Sequence, residues 1–126
     1  MLAADVMTEA VRADADASVR DVAALMREAD TGVVFLVRDD APVAVITDRD
    51  LALSVVAEER GHDDPAVVHA SSPVLAVTPA TELAEAADRM ARYDCRRLAV
   101  LEDRRLVGVV ALDDVVAAQG EAPARV

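Results

Sequence analysis

Apolar residues recur three and four positions apart in two stretches of the chain, the spacing of helices that bury one face. The first stretch contains Val19, Val22, Ala23 and Met26, and the second contains Leu83, Ala86, Ala87 and Met90. Every member of the second set lies 64 positions after its counterpart in the first. Two helices that agree in both period and register predict an internal repeat.

Continuous apolar runs, typical of strands that are covered on both faces, follow each predicted helix. They occupy residues 33–37, 42–46, 98–101 and 106–110. Short loops join the members of each pair, which predicts two antiparallel hairpins. A short alternating piece precedes each helix, at residues 11–13 and 75–77, and predicts one more strand in each half.

Each half closes with a predicted helix that begins in an acidic turn. These helices run from Asp48 to about residue 59 and from Leu112 to about residue 119. Each half therefore reads strand, helix, strand, strand, helix. One such unit leaves a face of its sheet uncovered, so we predict an α/β fold in which two β-α-β-β-α repeats pack about a pseudo-twofold axis.

Glycine and proline mark the boundary between the predicted halves. Gly61 and Pro65 end the first closing helix. We predict repeat 1 at residues 1–60, a linker at 61–68, repeat 2 at 69–120 and a tail at 121–126.

The charge disfavours a nucleic-acid partner. The chain of 126 residues has a net charge of −11, and its 13 basic residues are all arginine. Nucleic-acid affinity depends on basic side chains that displace counterions, and with one Tyr, one Phe and no Trp the chain lacks a base-stacking platform. Such an acidic surface is typical of a halophilic protein whose self-repulsion is screened by salt. An ordinary acidic protein from a GC-rich genome is the alternative.

Several other classes of function have no support in the sequence. No apolar run approaches the roughly 18 residues of a membrane span, and the N-terminus has no basic region before an apolar run. Cys95 is the only cysteine, which fits a reducing compartment, so we predict a cytoplasmic protein with no membrane association. His62 and His69 are too few for a zinc site, which needs four ligands. No catalytic motif is present, and we predict that the protein is not an enzyme.

The junctions between the last strand and the closing helix of each half carry a family signature. Residues 44–51 read Ala-Val-Ile-Thr-Asp-Arg-Asp-Leu, and residues 108–115 read Gly-Val-Val-Ala-Leu-Asp-Asp-Val. Here the chain resembles a tandem pair of CBS (cystathionine-beta-synthase-type) domains, a Bateman module, whose signature is Gly-hydrophobic-X-Thr/Ser-X-X-Asp. The resemblance extends from about Asp5 to Gln119, and together with the opening Met7-Thr8 it is typical of small stand-alone bacterial and archaeal members.

The resemblance implies a regulatory or sensor module. Such pairs bind an adenosine-containing ligand (AMP, ADP, ATP, NAD or S-adenosylmethionine) in the cleft between the repeats and signal to a separate target protein. No cofactor is required, and homodimerisation through the helices is the habit of the family. The alternatives are a ligand-free dimerisation scaffold with degenerate clefts and an enzyme that turns over the bound nucleotide.

The predicted ligand-binding residues lie at the two junctions. An aspartate in the first helical turn, Asp50 or Asp114, can accept hydrogen bonds from the ribose hydroxyls. Thr47 and the free helix amides suit a phosphate. Gly108 allows close approach of an adenosine to the strand that it shares with Val109. The alternative for Thr47 and Asp50 is an ordinary helix-capping pair.

Two arginines complete the predicted site. The resemblance implies that Arg97 points toward phosphate, and Arg49 projects from the first signature. For both, the alternative is a surface pair with carboxylates. Each half also departs from the family signature, because Ala44 replaces Gly and Ala111 replaces Thr or Ser. We therefore do not expect two fully competent sites.

Overall fold

The computed structural model of the chain describes residues 1–120, so the predicted tail at 121–126 lies outside the described residues. The described elements are, in order, α1 (Ala3–Val6), β1 (Arg12–Asp14), α2 (Val19–Ala29), β2 (Val33–Arg38), β3 (Ala41–Thr47), α3 (Asp48–Leu51), β4 (Ala76–Val77), α4 (Leu83–Tyr93), β5 (Arg97–Glu102), β6 (Arg105–Ala111) and α5 (Leu112–Gly120). A π-helical segment, Ala52–Val56, continues α3, and a 3-10 helix spans Ala66–His69. The predicted α/β class and the repeated element order are confirmed.

The two sheets have the same topology and register. In the order β1-β2-β3, β1 is parallel and β3 antiparallel to β2. The order β4-β5-β6 repeats those directions. Phe35 lies opposite Val45 in the first sheet, and Ala99 opposite Val109 in the second. Both hairpins shift register at the same relative place, after Leu36 and after Val100.

Turns in both halves depend on residues in the left-handed backbone region. The hairpin loops carry positive φ at Asp39 and Asp40, and at Asp103 and Arg104. Positive φ at both central residues gives the twist that two-residue hairpin loops need, and aspartate tolerates it better than most residues. The C-caps of α2 and α4 are left-handed aspartates as well. The repeat thus extends to the turn geometry.

The chain divides into two compact units that differ from a simple cut between the halves. The first unit is Ala10–Val74, and the second unit combines Met1–Glu9 with the chain from Leu75. Ser71, which precedes the first strand of the second half, exchanges two backbone hydrogen bonds with Val45, while Thr8, which precedes the first strand of the first half, exchanges two with Val109. The segment that leads into each half is therefore built into the unit of the other half. The boundaries predicted from the repeat describe the sequence repetition and stay a prediction.

Each unit has its own apolar core. In the first unit the buried residues are Val19, Val22, Met26, Val34, Leu36, Ala44, Ile46, Val55 and Ala66. In the second unit they are Ala3, Val77, Leu83, Ala86, Met90, Leu98, Val100, Val110, Val115 and Ala118. Aliphatic side chains build both cores, together with one methionine in each, Met26 and Met90. None of the described helices has the length and apolar character needed to cross a bilayer.

Candidate ligand-binding site at the two strand-to-helix junctions

The first junction forms a helix cap. Thr47 is the N-cap of α3, and its Oγ1 accepts a hydrogen bond of 3.2 Å from the backbone N–H of Asp50. In return, the N–H of Thr47 donates to Oδ2 of Asp50 at 2.8 Å. The capping alternative is thus present for this pair, and such caps stabilise helices by about 0.5–2 kcal/mol. Oδ1 of Asp50 and the hydroxyl proton of Thr47 have no hydrogen-bond partner within residues 1–120.

A glycine that the sequence did not single out shapes this junction. A Cβ added at Gly32 would lie 2.7 Å from Oδ2 of Asp48. The N–H of Asp48 donates to the carbonyl of Gly32 at 2.9 Å, and Oδ1 of Asp48 accepts from the N–H of Arg49 at 2.8 Å. Gly32 therefore makes room for an acidic side chain at the helix start. In the sequence, the feature that could have indicated this contact is a glycine shortly after the predicted helix α2.

The second junction keeps the backbone geometry without the cap. The N–H of Leu112 donates to the carbonyl of Arg96 at 2.8 Å, the same bond that joins Asp48 to Gly32 one repeat earlier. Ala111 offers no hydroxyl, and the side chain of Asp114 is exposed without a hydrogen-bond partner among the described residues. Arg97 pairs in register with Ala111 and is also exposed, with no ion-pair partner in that part of the chain. An unpaired carboxylate and an unpaired guanidinium thus belong to the same junction.

The chain itself occupies the space beside Gly108. A Cβ at Gly108 would lie 2.9 Å from Sδ of Met7 and 3.1 Å from the carbonyl oxygen of Thr8. Val109 is 8% exposed and exchanges hydrogen bonds of 3.0 Å in both directions with Thr8. The absent side chain therefore admits the N-terminal segment. Contact of Gly108 and Val109 with a ligand stays a prediction.

The other polar side chains near the two junctions take no part in the hydrogen bonds described above. Arg49 is exposed and has no side-chain partner within residues 1–120. Arg96 lies 3.8 Å from Asp113, and both side chains are largely exposed, a pair that contributes little. Burial raises the pKa of the Cys95 thiol above its ordinary value, so this residue stays protonated at neutral pH. Among the described residues, no group of three His, Cys, Asp or Glu side chains could hold a metal ion.

The sequence missed a cluster of polar side chains around His69. The histidine contacts Ser54 and Asp64, whereas His62 lies along a groove beside α2. Asp64 lies 5 positions and Ser54 15 positions before His69, and the three residues match no motif. Only the folded arrangement of the first unit reveals them.

Two β-α-β-β-α repeats, each with an acidic helix start at the end of its sheet, define a tandem α/β module. A family model described as CBS domain matches residues 3–57 and 66–121. The chain belongs to the CBS domain family and contains two copies of the domain. The predicted tandem CBS pair is confirmed.

Known proteins agree with this assignment. The CBS domain-containing protein YhcV of Bacillus subtilis is 29% identical over 112 residues, which is 89% of this chain and 80% of YhcV. The CBS domain protein PAE2072 from Pyrobaculum aerophilum, solved in complex with AMP, is 26% identical, with a TM-score of 0.84 over 97% of this chain and 100% of that chain. The CBS domain pair of MJ0100, solved with 5′-methylthioadenosine and S-adenosylmethionine, shares the fold, with a TM-score of 0.84 at 20% identity over 95% of this chain and 96% of that chain.

Proposed function

We propose that this protein is a regulatory module that binds an adenosine-containing ligand (AMP, ADP, ATP, NAD or S-adenosylmethionine) and signals to a separate target protein. The AMP complex of PAE2072, a relative that matches nearly the whole chain, supports this class of ligand. The acidic helix starts at the two junctions supply matching chemistry, because a carboxylate accepts hydrogen bonds from both hydroxyls of a ribose.

The two junctions have different roles in this proposal. Asp114 is the main ribose acceptor, since neither of its carboxylate oxygens has a partner within residues 1–120. Arg97 of the same junction contacts phosphate. In the first junction Asp50 offers only Oδ1, because Oδ2 accepts from the N–H of Thr47. The hydroxyl proton of Thr47 and the guanidinium of Arg49 remain available to a phosphate.

A melting experiment with a panel of ligands tests the binding. AMP, ATP, NAD and S-adenosylmethionine are each titrated while the melting temperature is followed. A ligand at 100 times its dissociation constant stabilises the folded protein by about 2.7 kcal/mol, which is a readily measured shift. Guanosine monophosphate serves as the matched control for phosphate and ribose without adenine. If none of the four adenosine ligands raises the melting temperature, the binding proposal is wrong and the scaffold alternative is favoured.

We also propose a homodimer that uses helical faces. Leu53 and Val56 on the π-helical segment are 54% and 68% exposed, and Val116 on α5 is 58% exposed. Apolar side chains on the outside of helices that are already packed on one face favour a protein partner. A second copy of the chain is the partner that would always be available.

Light scattering checks the dimer. Val56→Arg should convert a dimer into a monomer, because burying an unpaired charge in an apolar interface is costly. Val107→Arg, at a 38% exposed position on β6, serves as a control that should leave the mass unchanged. A wild-type protein with the mass of one chain at all concentrations would refute this proposal while leaving ligand binding intact.

A further inference from the structure

A chain of side-chain hydrogen bonds connects the segment after the first closing helix to Asp50. Nε2 of His69 lies 2.9 Å from Oδ2 of Asp64, and Nδ1 lies 3.0 Å from Oγ of Ser54. Ser54 Oγ donates to the backbone carbonyl of Asp50, one turn earlier, at 2.6 Å. The hydrogen bonds therefore run from Asp64 through His69 and Ser54 to the backbone of Asp50, the capping-box partner of Thr47.

The imidazole ring is held closely in this position. Its side chain is only 7% exposed. Gly61, with a φ of +94°, packs against it, and a Cβ there would lie 3.0 Å from both Nε2 of His69 and Oδ2 of Asp64. A side chain at position 61 would be strained by the backbone and would contact the ring. The packing thus fixes which atom each ring nitrogen faces.

Counting the protons available to these hydrogen bonds distinguishes the charged from the neutral form of His69. Ser54 has one hydroxyl proton, and the bond to the Asp50 carbonyl uses it, so Ser54 Oγ can only accept from Nδ1 of His69. An ionised Asp64 can only accept from Nε2. Both nitrogens must then carry a proton, which is the imidazolium form. All three hydrogen bonds are satisfied only when His69 is charged.

When His69 loses the proton on Nδ1, the hydrogen bond between Nδ1 and Ser54 must reverse its direction. If Nε2 keeps its proton for Asp64, Nδ1 becomes an acceptor. The hydroxyl of Ser54 can then rotate and donate to Nδ1, which leaves the Asp50 carbonyl without its side-chain donor. The position of a single hydroxyl proton therefore differs between the two forms of His69.

The acidic residues next to this hydrogen-bonded network in the sequence have other partners. The carboxylate of Asp50 accepts from Thr47 N–H, and Asp63 pairs with Arg20 at 3.3 Å. Within residues 1–120, Asp64 is the only ionisable side chain hydrogen-bonded to His69. Serine, histidine and aspartate also form hydrolase triads, but here the serine donates to a backbone carbonyl, whereas a nucleophile must donate to the histidine.

We infer that His69 is a proton-linked positioning residue, which transmits its charge state through Ser54 to the carbonyl of Asp50 and so to the first turn of α3. The effect on ligand binding rests on the proposed function. The transmission itself does not depend on any ligand.

Nuclear magnetic resonance of the labelled full chain tests the transmission. The ring of His69 and the backbone carbonyl carbon of Asp50 are followed from pH 8.5 to 5.5, above the range in which aspartates as a class titrate. We expect the two signals to move with the same midpoint. In Ser54→Ala the ring should still titrate, but the carbonyl signal should stay constant.

Further variants control for folding and for the second histidine. His62→Gln should keep the coupled titration, Ser54→Thr should restore it by keeping a hydroxyl, and His69→Gln should abolish it. If Ser54→Ala fails to fold, the inference is decided by comparing His69→Gln, which should abolish the coupled titration, with Ser54→Thr, which should keep it. A constant Asp50 carbonyl signal in the wild type, or an unchanged titration after Ser54→Ala or His69→Gln, would overturn the inference.

Adenosine is the probe for the functional consequence, because it has no phosphate that titrates in this range. We expect it to bind more tightly at pH 6 than at pH 8, by up to about tenfold, the equivalent of one hydrogen bond. Ser54→Ala should remove this pH dependence. If adenosine does not bind at either pH, the proposed function fails for this ligand, while the carbonyl titration still decides the inference.

Discussion

The two strand-to-helix junctions have the same backbone and use their acidic residues differently. In the first, Thr47 and Asp50 cap each other, and Asp50 is half-buried. In the second, Ala111 cannot take part in such an exchange, and Asp114 is exposed. A single change of residue type, Thr to Ala, separates a carboxylate that stabilises its own helix from one that is free. In the proposed function, the junction that departs from the signature at this position is therefore the one that binds the ribose.

The comparison extends to the hydrogen-bond chain of the first unit. Ser54 corresponds in the repeat to Ala118, which is 9% exposed and belongs to the core of the second unit. An alanine has no hydroxyl that could donate or accept a hydrogen bond. Within residues 1–120, only the first unit connects its closing helix to a histidine by side-chain hydrogen bonds.

The largest expected effect separates the two aspartates. Asp114→Ala should weaken adenosine binding by about 10- to 100-fold, because hydrogen bonds to a charged group are lost, and should leave stability nearly unchanged. Asp50→Ala should lose about 1 kcal/mol of stability with the cap and a smaller part of the affinity. Isothermal titration and urea denaturation measure the two quantities, with the exposed Asp88→Ala as a control. Equal effects of Asp50 and Asp114 on affinity would contradict the division of roles.

The next effect concerns the strand position before each junction. Gly108→Val should destabilise the protein by about 1–3 kcal/mol, as expected for overpacking, because the added atoms meet Met7 and Thr8. Ala44→Gly, at the equivalent place in the other repeat, should cost about 0.5–1 kcal/mol from backbone flexibility. Urea denaturation midpoints give both values. A valine tolerated at position 108 would mean that the N-terminal segment does not pack there.

Exchanging threonine and alanine at the capping position should reduce the difference in stability and ligand affinity between the two junctions. Thr47→Ala should lose about 1 kcal/mol of stability, whereas Ala111→Thr should gain up to about that amount by capping α5. In the second variant Asp114 becomes engaged, so adenosine affinity should fall as stability rises. Thermal denaturation and titration of the same samples check this opposition. A rise in both would show that capping and ribose binding are compatible.

The smallest expected effect distinguishes the arginines. Arg97→Ala should weaken AMP by at most about fivefold, because the contact is exposed and screened, and should not change adenosine affinity. Arg49→Ala tests the first junction in the same way, and Arg105→Ala, at the other end of the β5–β6 hairpin, is the control. The ratio of AMP to adenosine affinity is the measured quantity. If Arg105→Ala changes that ratio as much as Arg97→Ala, the effect is the loss of general charge and not a local phosphate contact.

Repetition in the sequence predicted most of the fold. The apolar spacing that starts at Val19 and at Leu83 located α2 and α4, and Ser18 caps α2 by accepting a hydrogen bond of 3.1 Å from the N–H of Asp21. The first closing helix was predicted from Asp48 to about residue 59, whereas its α-helical part ends at Leu51 and a π-helix continues it over Ala52–Val56. Apolar periodicity does not encode such a change, since the pattern of buried side chains is similar in both forms.

The sequence was enough to name residues of the candidate site, but most of the contacts that these residues make could not be predicted from it. A local signature located Thr47 and Asp50, and the capping alternative was visible because both partners lie within one helical turn. The approach of Met7 to Gly108 and of Ser54 to His69 could not be predicted, because each joins residues that are distant in sequence. Only the fold decides which of these come together.

Residues 1–9 and the segment around Ser71 each complete the unit formed by the other half, so neither half of the sequence is self-sufficient. A polypeptide cut after residue 60 would give two fragments that each lack a neighbour for a strand edge. Such fragments should regain their structure only when they are mixed, which makes this chain a natural subject for fragment complementation.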